Sequence, residues 1–188
     1  MQNYPEIRPM RHKTFQFLSR GKTLFAQRWW PDSYPKAVVV FIHSWADHSS
    51  RNAELAERLT QQGYACYGFD FQGHGQSQGR KGYIADFNHW VLDLTTFIEV
   101  VHSELRSVPV FIHGYGVGSC VAANYLLAHT NDIDGVIFNG GALAVGKKIS
   151  KAHIILAWII GGIIPRIPVA PLPPNSISSV IDEQTAYD

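Results

Sequence analysis

The stretch Val108-Pro109-Val110-Phe111-Ile112-His113-Gly114-Tyr115-Gly116-Val117-Gly118-Ser119-Cys120-Val121 decides how this chain folds. Val108 to Ile112 is a nearly unbroken apolar run, the pattern of a strand covered on both faces. From Val117 to His129 the pattern becomes helical, with Val121, Tyr125 and Ala128 on one side. Between them, glycines at 114, 116 and 118 permit a turn too tight for residues that carry a β-carbon. A strand, a glycine-punctuated turn and a helix place the apex residue, Gly116, at the carboxyl end of the strand, facing the helix N-terminus.

Working outward, apolar extended runs alternate with helical ones. Phe15 to Ser19 and Thr23 to Trp30 read as two strands around the turn Ser19-Arg20-Gly21-Lys22. Ala37 to Ile42 and Tyr64 to Phe69 are further strands. Between those two, Ser50 is placed to cap a helix carrying Leu55 and Leu59 and stopped by Gly63. After Asp86, the spacing of Phe87, Trp90, Leu94, Phe97, Ile98 and Val101 predicts a long helix with one buried stripe. Gly135 to Asn139 is the last strand. Such alternation predicts a mostly parallel sheet with helices on both faces. Beyond Gly146 the pattern breaks, and five of the ten prolines fall within Pro165 to Pro174. The expected organisation is one domain over 1–188, with a core over about 14–145 and a cap or lid segment over about 146–188.

Composition narrows the function classes. The 188 residues carry 16 basic and 15 acidic side chains, which gives no electrostatic reason to expect nucleic acid. The two cysteines, Cys66 and Cys120, lie in apolar segments and read as reduced core residues of a cytoplasmic protein. Met1 to Lys13 lacks the apolar region of a secretory signal. Ala152 to Ile164 is apolar but shorter than the ~20 residues that span a bilayer. With Lys147, Lys148 and Lys151 upstream, it suits either a lid at a lipid interface or a helix over a cleft.

Parallel sheets gather ligand and catalytic groups at the carboxyl ends of their strands. Three segments sit there: His43-Ser44-Trp45-Ala46-Asp47-His48-Ser49, Asp70-Phe71-Gln72-Gly73-His74-Gly75-Gln76-Ser77, and His113-Gly114-Tyr115-Gly116-Val117-Gly118-Ser119. From about Phe15 onward the chain resembles the first two-thirds of a monoacylglycerol lipase, a lysophospholipase-like serine hydrolase with the α/β-hydrolase fold. The motifs that carry the resemblance are the His43 loop with Asp47-His48-Ser49, Gly73-His74-Gly75-Gln76-Ser77, Asp86-Phe87 before the long helix, and Pro109-Val110-Phe111-Ile112 before the turn. The resemblance implies hydrolysis of acyl esters of glycerol or related lipids by a Ser, His and Asp triad, without a cofactor.

The departures from the family pattern matter as much as the matches. Where the family reads Gly-x-Ser-x-Gly, this chain has Gly114-Tyr115-Gly116-Val117-Gly118, so the nucleophile position is Gly116, which has no side chain to attack with. The triad's Asp and His follow the cap in the family, beyond the motifs found here, and neither His43 nor His48 replaces them. On the sequence, the chain is therefore expected to be a catalytically inactive, truncated relative of the lipases. Resemblance places the oxyanion-hole amides at Trp45 and Val117, and backbone donors do not depend on side-chain identity. The family's His-Gly at that loop reads His43-Ser44, with the bulky Trp45 next.

Other groups have blander readings. Gly75-Gln76-Ser77-Gln78-Gly79 matches Gly-x-Ser-x-Gly, but no strand-to-helix turn accompanies it, so Ser77 reads as structural. Ser119 and Cys120 begin the helix after the turn. His43, His74 and His113, with Asp47 and Asp70, match no metal-ligand spacing, and loop hydrogen bonding is the expected role. The expected partners are a lipid or acyl-ester ligand, a membrane surface met through Ala152 to Ile164, and a second copy paired along Val136-Ile137-Phe138 at the sheet edge. Non-enzymatic lipid or partner binding stands as the alternative function.

Overall fold

The computed structural model describes residues 11–141. Six strands form one sheet: β1 (Arg11–Ser19), β2 (Lys22–Trp30), β3 (Val38–Ile42), β4 (Ala65–Phe69), β5 (Val110–Tyr115) and β6 (Gly135–Asn139). Their order is β1-β2-β4-β3-β5-β6. β1, β2 and β4 pair antiparallel, while β4, β3, β5 and β6 run parallel. This is the expected α/β-hydrolase arrangement. Helices α1 (Ala53–Gln61), α2 (Asn88–Glu104) and α3 (Val117–Ala128) supply the crossovers that parallel neighbours require.

Strand alternation distributes the core over both faces. Val38, Val40 and Ile42 of β3 join Ala65, Tyr67 and Phe69 of β4 and Val110 and Ile112 of β5 in the larger cluster. Trp90, Leu94, Phe97, Ile98 and Val101 of α2 and Val121, Ala122 and Tyr125 of α3 close over it. The opposite face is smaller: Trp29, Phe41 and Cys66 pack with Ala56 of α1. Burial there pushes the Cys66 thiol up to about 12, so it stays protonated and serves as packing.

The β1–β2 turn takes positive φ at Arg20 (48°) and Gly21 (73°), the geometry whose twist suits a tight hairpin. Arg20 is held there from outside the turn: its guanidinium lies 3.1 Å from the buried Asp93 carboxylate of α2 and donates to Gln72 at 2.8 Å. Ser19 donates to the same carboxylate at 2.6 Å, so the hairpin is pinned to α2 through a polar contact inside the core.

Local expectations at two of the helices need correction. Ser50 does not cap α1. Its hydroxyl accepts from Gln27 Nε2 at 2.9 Å, the chain passes through a short 3₁₀ turn at Ser49–Asn52, and the α-helix begins later, at Ala53. That start sets the helix phase so that Ala56 and Thr60 are buried while Leu55 is exposed. Ala128, expected on the buried side of α3, is exposed at the helix's last residue. At the sheet edge, β6 pairs only with β5 among the described residues, and Ile137 and Phe138 are 54% and 43% exposed.

Candidate active site

Because β4, β3 and β5 are parallel neighbours, the segments that follow them leave the same edge of the sheet. The turn after β5 has the tight geometry its glycines predict. Gly116 sits at φ 53° and ψ −117° as the residue preceding α3. A left-handed φ of this kind strains any residue with a β-carbon. Gly118 serves close approach instead: a β-carbon there would collide with the carbonyl oxygens of Ile42 and His43. At Gly114 a β-carbon would lie 2.7 Å from the Ser119 Cα, so the turn closes only on glycine.

α3 therefore begins directly against the carboxyl end of β3. Gly116 N–H donates to the Asn139 carbonyl at 2.8 Å, and its own carbonyl accepts from Ser119 N–H at 3.1 Å. The next amide, Val117 N–H, points to the loop after β3 and donates to the Ser44 hydroxyl at 3.2 Å. That hydroxyl stands where a side chain at position 116 would begin. A β-carbon built on Gly116 collides with Ser44 Oγ and lies 3.0 Å from Ser44 Cβ. The left-handed residue of this loop is Ala46 (φ 57°), not Ser44. Trp45 is 45% exposed. Its ring rests against His74 and Trp90, at 5.3 and 5.9 Å between centroids.

Polar groups around the three segments are engaged in holding the loops. His43 is buried; its Nδ1 donates to the Ser44 carbonyl at 2.7 Å and its Nε2 accepts from Phe71 N–H at 2.9 Å. Burial pushes its pKa down to about 4, so both ring nitrogens are spent and the ring is neutral. Asp70 accepts from Ser49 N–H and Ser49 Oγ, both at 2.7 Å, and from Gln76 N–H at 2.8 Å, which ties the β3 loop to the β4 loop. His74 is held below the ordinary histidine range by burial; among the described residues its Nε2 and the Trp90 Nε1 are buried without a hydrogen-bond partner. His48 is exposed, and Asp47 pairs with Arg51 at 3.3 Å. His113 lies on the α1 face of the sheet, edge-on to Phe41 at 5.7 Å, with its pKa lowered by burial.

Both serines considered as nucleophiles are structural. Ser77 is buried, donates to the Asp70 carbonyl at 2.5 Å and accepts from Phe25 N–H at 2.9 Å. Ser119 is fully buried and donates to the Gly114 carbonyl at 2.7 Å. Cys120 Sγ lies 3.9 Å from the Gly116 carbonyl on the first turn of α3. Among the described residues no group of three or more His, Cys, Asp or Glu is placed to hold a metal ion, and no helix is long and apolar enough to cross a membrane. The segment Ala152 to Ile164 lies outside the described residues.

Sequence reasoning missed what Ser44 does. It marked the residue as a departure from glycine and left unassigned the hydroxyl that reaches Val117. The signal was present as a pair: a hydroxyl gained at 44 and a side chain lost at 116, on two segments that the topology makes neighbours.

Comparison with known proteins agrees with this architecture. The family model described as serine aminopeptidase, S33 (Hydrolase_4) matches residues 33–188. A monoglyceride lipase homolog of Monkeypox virus is 30% identical over 164 residues, 87% of this chain and 59% of that protein. Human monoglyceride lipase is 25% identical over 169 residues, 89% of this chain and 56% of the lipase. Among solved structures, a soluble variant of Saccharomyces cerevisiae monoglyceride lipase with a substrate analog superposes at a TM-score of 0.72. It is 24% identical, covering 88% of this chain and 57% of that one, and shows the shared fold. The chain thus spans little more than half the length of the curated relatives it matches.

The neutral, doubly bonded His43 has a pH signature. Its folded pKa, about 4, lies below the unfolded value of 6.5, so between those values the unfolded chain holds a proton that the native one lacks. Its contribution is complete above pH 6.5 and is lost as pH falls toward 4. One such group adds a slope of at most about 1.4 kcal/mol per pH unit. His74 and His113, also lowered by burial, act in the same direction. Urea unfolding between pH 4 and 7 should give a shallower slope for His43→Gln than for the parent; equal slopes would count against a neutral His43.

Proposed function

Since this chain belongs to the serine aminopeptidase S33 hydrolase family, we propose that it is a monoacylglycerol-lipase-like hydrolase by descent that does not cleave esters through the family's nucleophile. One observation carries the reading: the apex of the turn between β5 and α3 is Gly116, and the space beside it holds the Ser44 hydroxyl. Nucleophilic catalysis needs an activated oxygen or sulfur at that apex. Ser77 and Ser119 cannot supply it from their places, because each is buried and committed to backbone partners. Ser44 has the right neighbourhood without a base: among the described residues no histidine ring bonds its hydroxyl, and the adjacent His43 has both nitrogens occupied.

A fluorophosphonate probe reacts with activated serines, and intact-mass spectrometry reads the outcome. The expected result is no mass gain after prolonged incubation. A single adduct mapped to Ser44, Ser77 or Ser119 would overturn the inactive reading and name the nucleophile.

A second reading, binding of an acyl ligand without cleavage, draws on the exposed aromatic residues of the same edge. Trp45 and Tyr115 are 45% and 38% exposed, one just after β3 and one at the end of β5. Exposed aromatics beside a sheet's carboxyl edge suit an apolar chain with a polar end. The names of the similar lipases point to monoacylglycerols as the ligand class to try first. Titration with a non-hydrolysable monoalkylglycerol ether should change tryptophan fluorescence saturably in the parent and far less in Trp45→Ala. A flat titration in the parent would remove this reading.

A further inference from the structure

We infer that Ser44 and Gly116 are one coupled pair, in which the Ser44 hydroxyl is the resident acceptor of the first amide of α3 and keeps its place only because residue 116 has no side chain. Two independent features of the geometry lead to this. The first is a donor that needs a partner. Helix N-termini leave their first amides unsatisfied within the helix, and because an N-cap side chain ordinarily reaches the second or third of them, the very first takes its partner from elsewhere. Gly116, the residue before the helix, has no side chain, and α3 has no side-chain cap of its own. Ser44, 73 positions earlier in the chain, does the capping from another loop, accepting from Val117 N–H at 3.2 Å.

The second is steric. A β-carbon at 116 would collide with Ser44 Oγ and press on Ser44 Cβ at 3.0 Å. The hydroxyl and a side chain at 116 therefore exclude each other. The two departures from the family's motifs, serine for glycine at 44 and glycine for serine at 116, are thus a single exchange: a hydroxyl disappears from the turn and another enters the vacated space from across it. The inference deepens the proposed reading, because Val117 is where resemblance places an oxyanion-hole amide. An acyl oxygen could reach that amide only by displacing Ser44.

The coupling is measurable without reference to any activity. Residues in contact deviate from additivity in a double-mutant cycle, whereas separated ones do not. The cycle uses Ser44→Gly, Gly116→Ser and the double variant, with folding equilibrium constants from urea unfolding. Gly116→Ser should lower the folding constant about tenfold more in the parent than in the Ser44→Gly background. Equal losses in both backgrounds would overturn the pairing. If Gly116→Ser alone fails to fold while the double variant folds, that rescue also supports it.

A second measurement avoids substitution at 116. In Ser44→Ala, amide hydrogen exchange at Val117 should accelerate about tenfold or more, as expected for a donor that loses its acceptor. The Ser119 amide, bonded to the Gly116 carbonyl, should keep its protection. Unchanged exchange at Val117 would show that Ser44 is not its acceptor and would overturn the inference, leaving the family assignment untouched.

Discussion

The close approach of α3 to the carboxyl end of β3 is the constraint on which the rest of the site depends. Gly118 lets the first turn of the helix come against the carbonyl oxygens of Ile42 and His43, a separation that no β-carbon would survive. The approach fixes where the apex of the preceding turn stands, and it forces Gly116 to a φ of 53° that favours glycine. It also brings the loop after β3 within reach of the helix's first amide. Ser44 reaches Val117 because these two backbones lie this close.

Around that contact, the polar groups that look most like chemistry act as fasteners. Asp70 gathers two donors from Ser49 and one from the Gln76 amide, so the β3 and β4 loops share one buried carboxylate. His43 bridges the Ser44 carbonyl and the Phe71 amide, and desolvation keeps it neutral in that job. Ser77 completes the set by joining the Asp70 carbonyl to β2. A buried polar network of this kind rigidifies a site whether or not the site performs a reaction. The scaffold of a hydrolase can therefore persist when the residue at its apex carries no side chain.

Most of the fold was legible because its signals are local. The continuous apolar runs of β3, β4 and β5, the stripe on α2 and the glycines of the turn each announce themselves within a dozen residues. Gly116 was legible for the same reason, since the elbow motif fixes its position by counting. The start of α1 was not. Gln27, on a strand 22 residues before Ser49, captures the hydroxyls of Ser49 and Ser50 and delays the helix to Ala53. Leu55 consequently faces outward, a consequence of tertiary hydrogen bonding that no local pattern encodes. Ser44 belongs to the same class, because its meaning depends on an amide 73 residues away.

The most direct measurement is release of glycerol from a monoacylglycerol by the purified protein, set against the same preparation carrying Ser44→Ala, Ser77→Ala or Ser119→Ala. With glycine at the apex and Ser44 resident on the Val117 amide, release should equal the buffer background in all four samples. Saturable turnover by the parent that one of these substitutions abolishes would contradict the account and identify the serine that replaces the missing nucleophile.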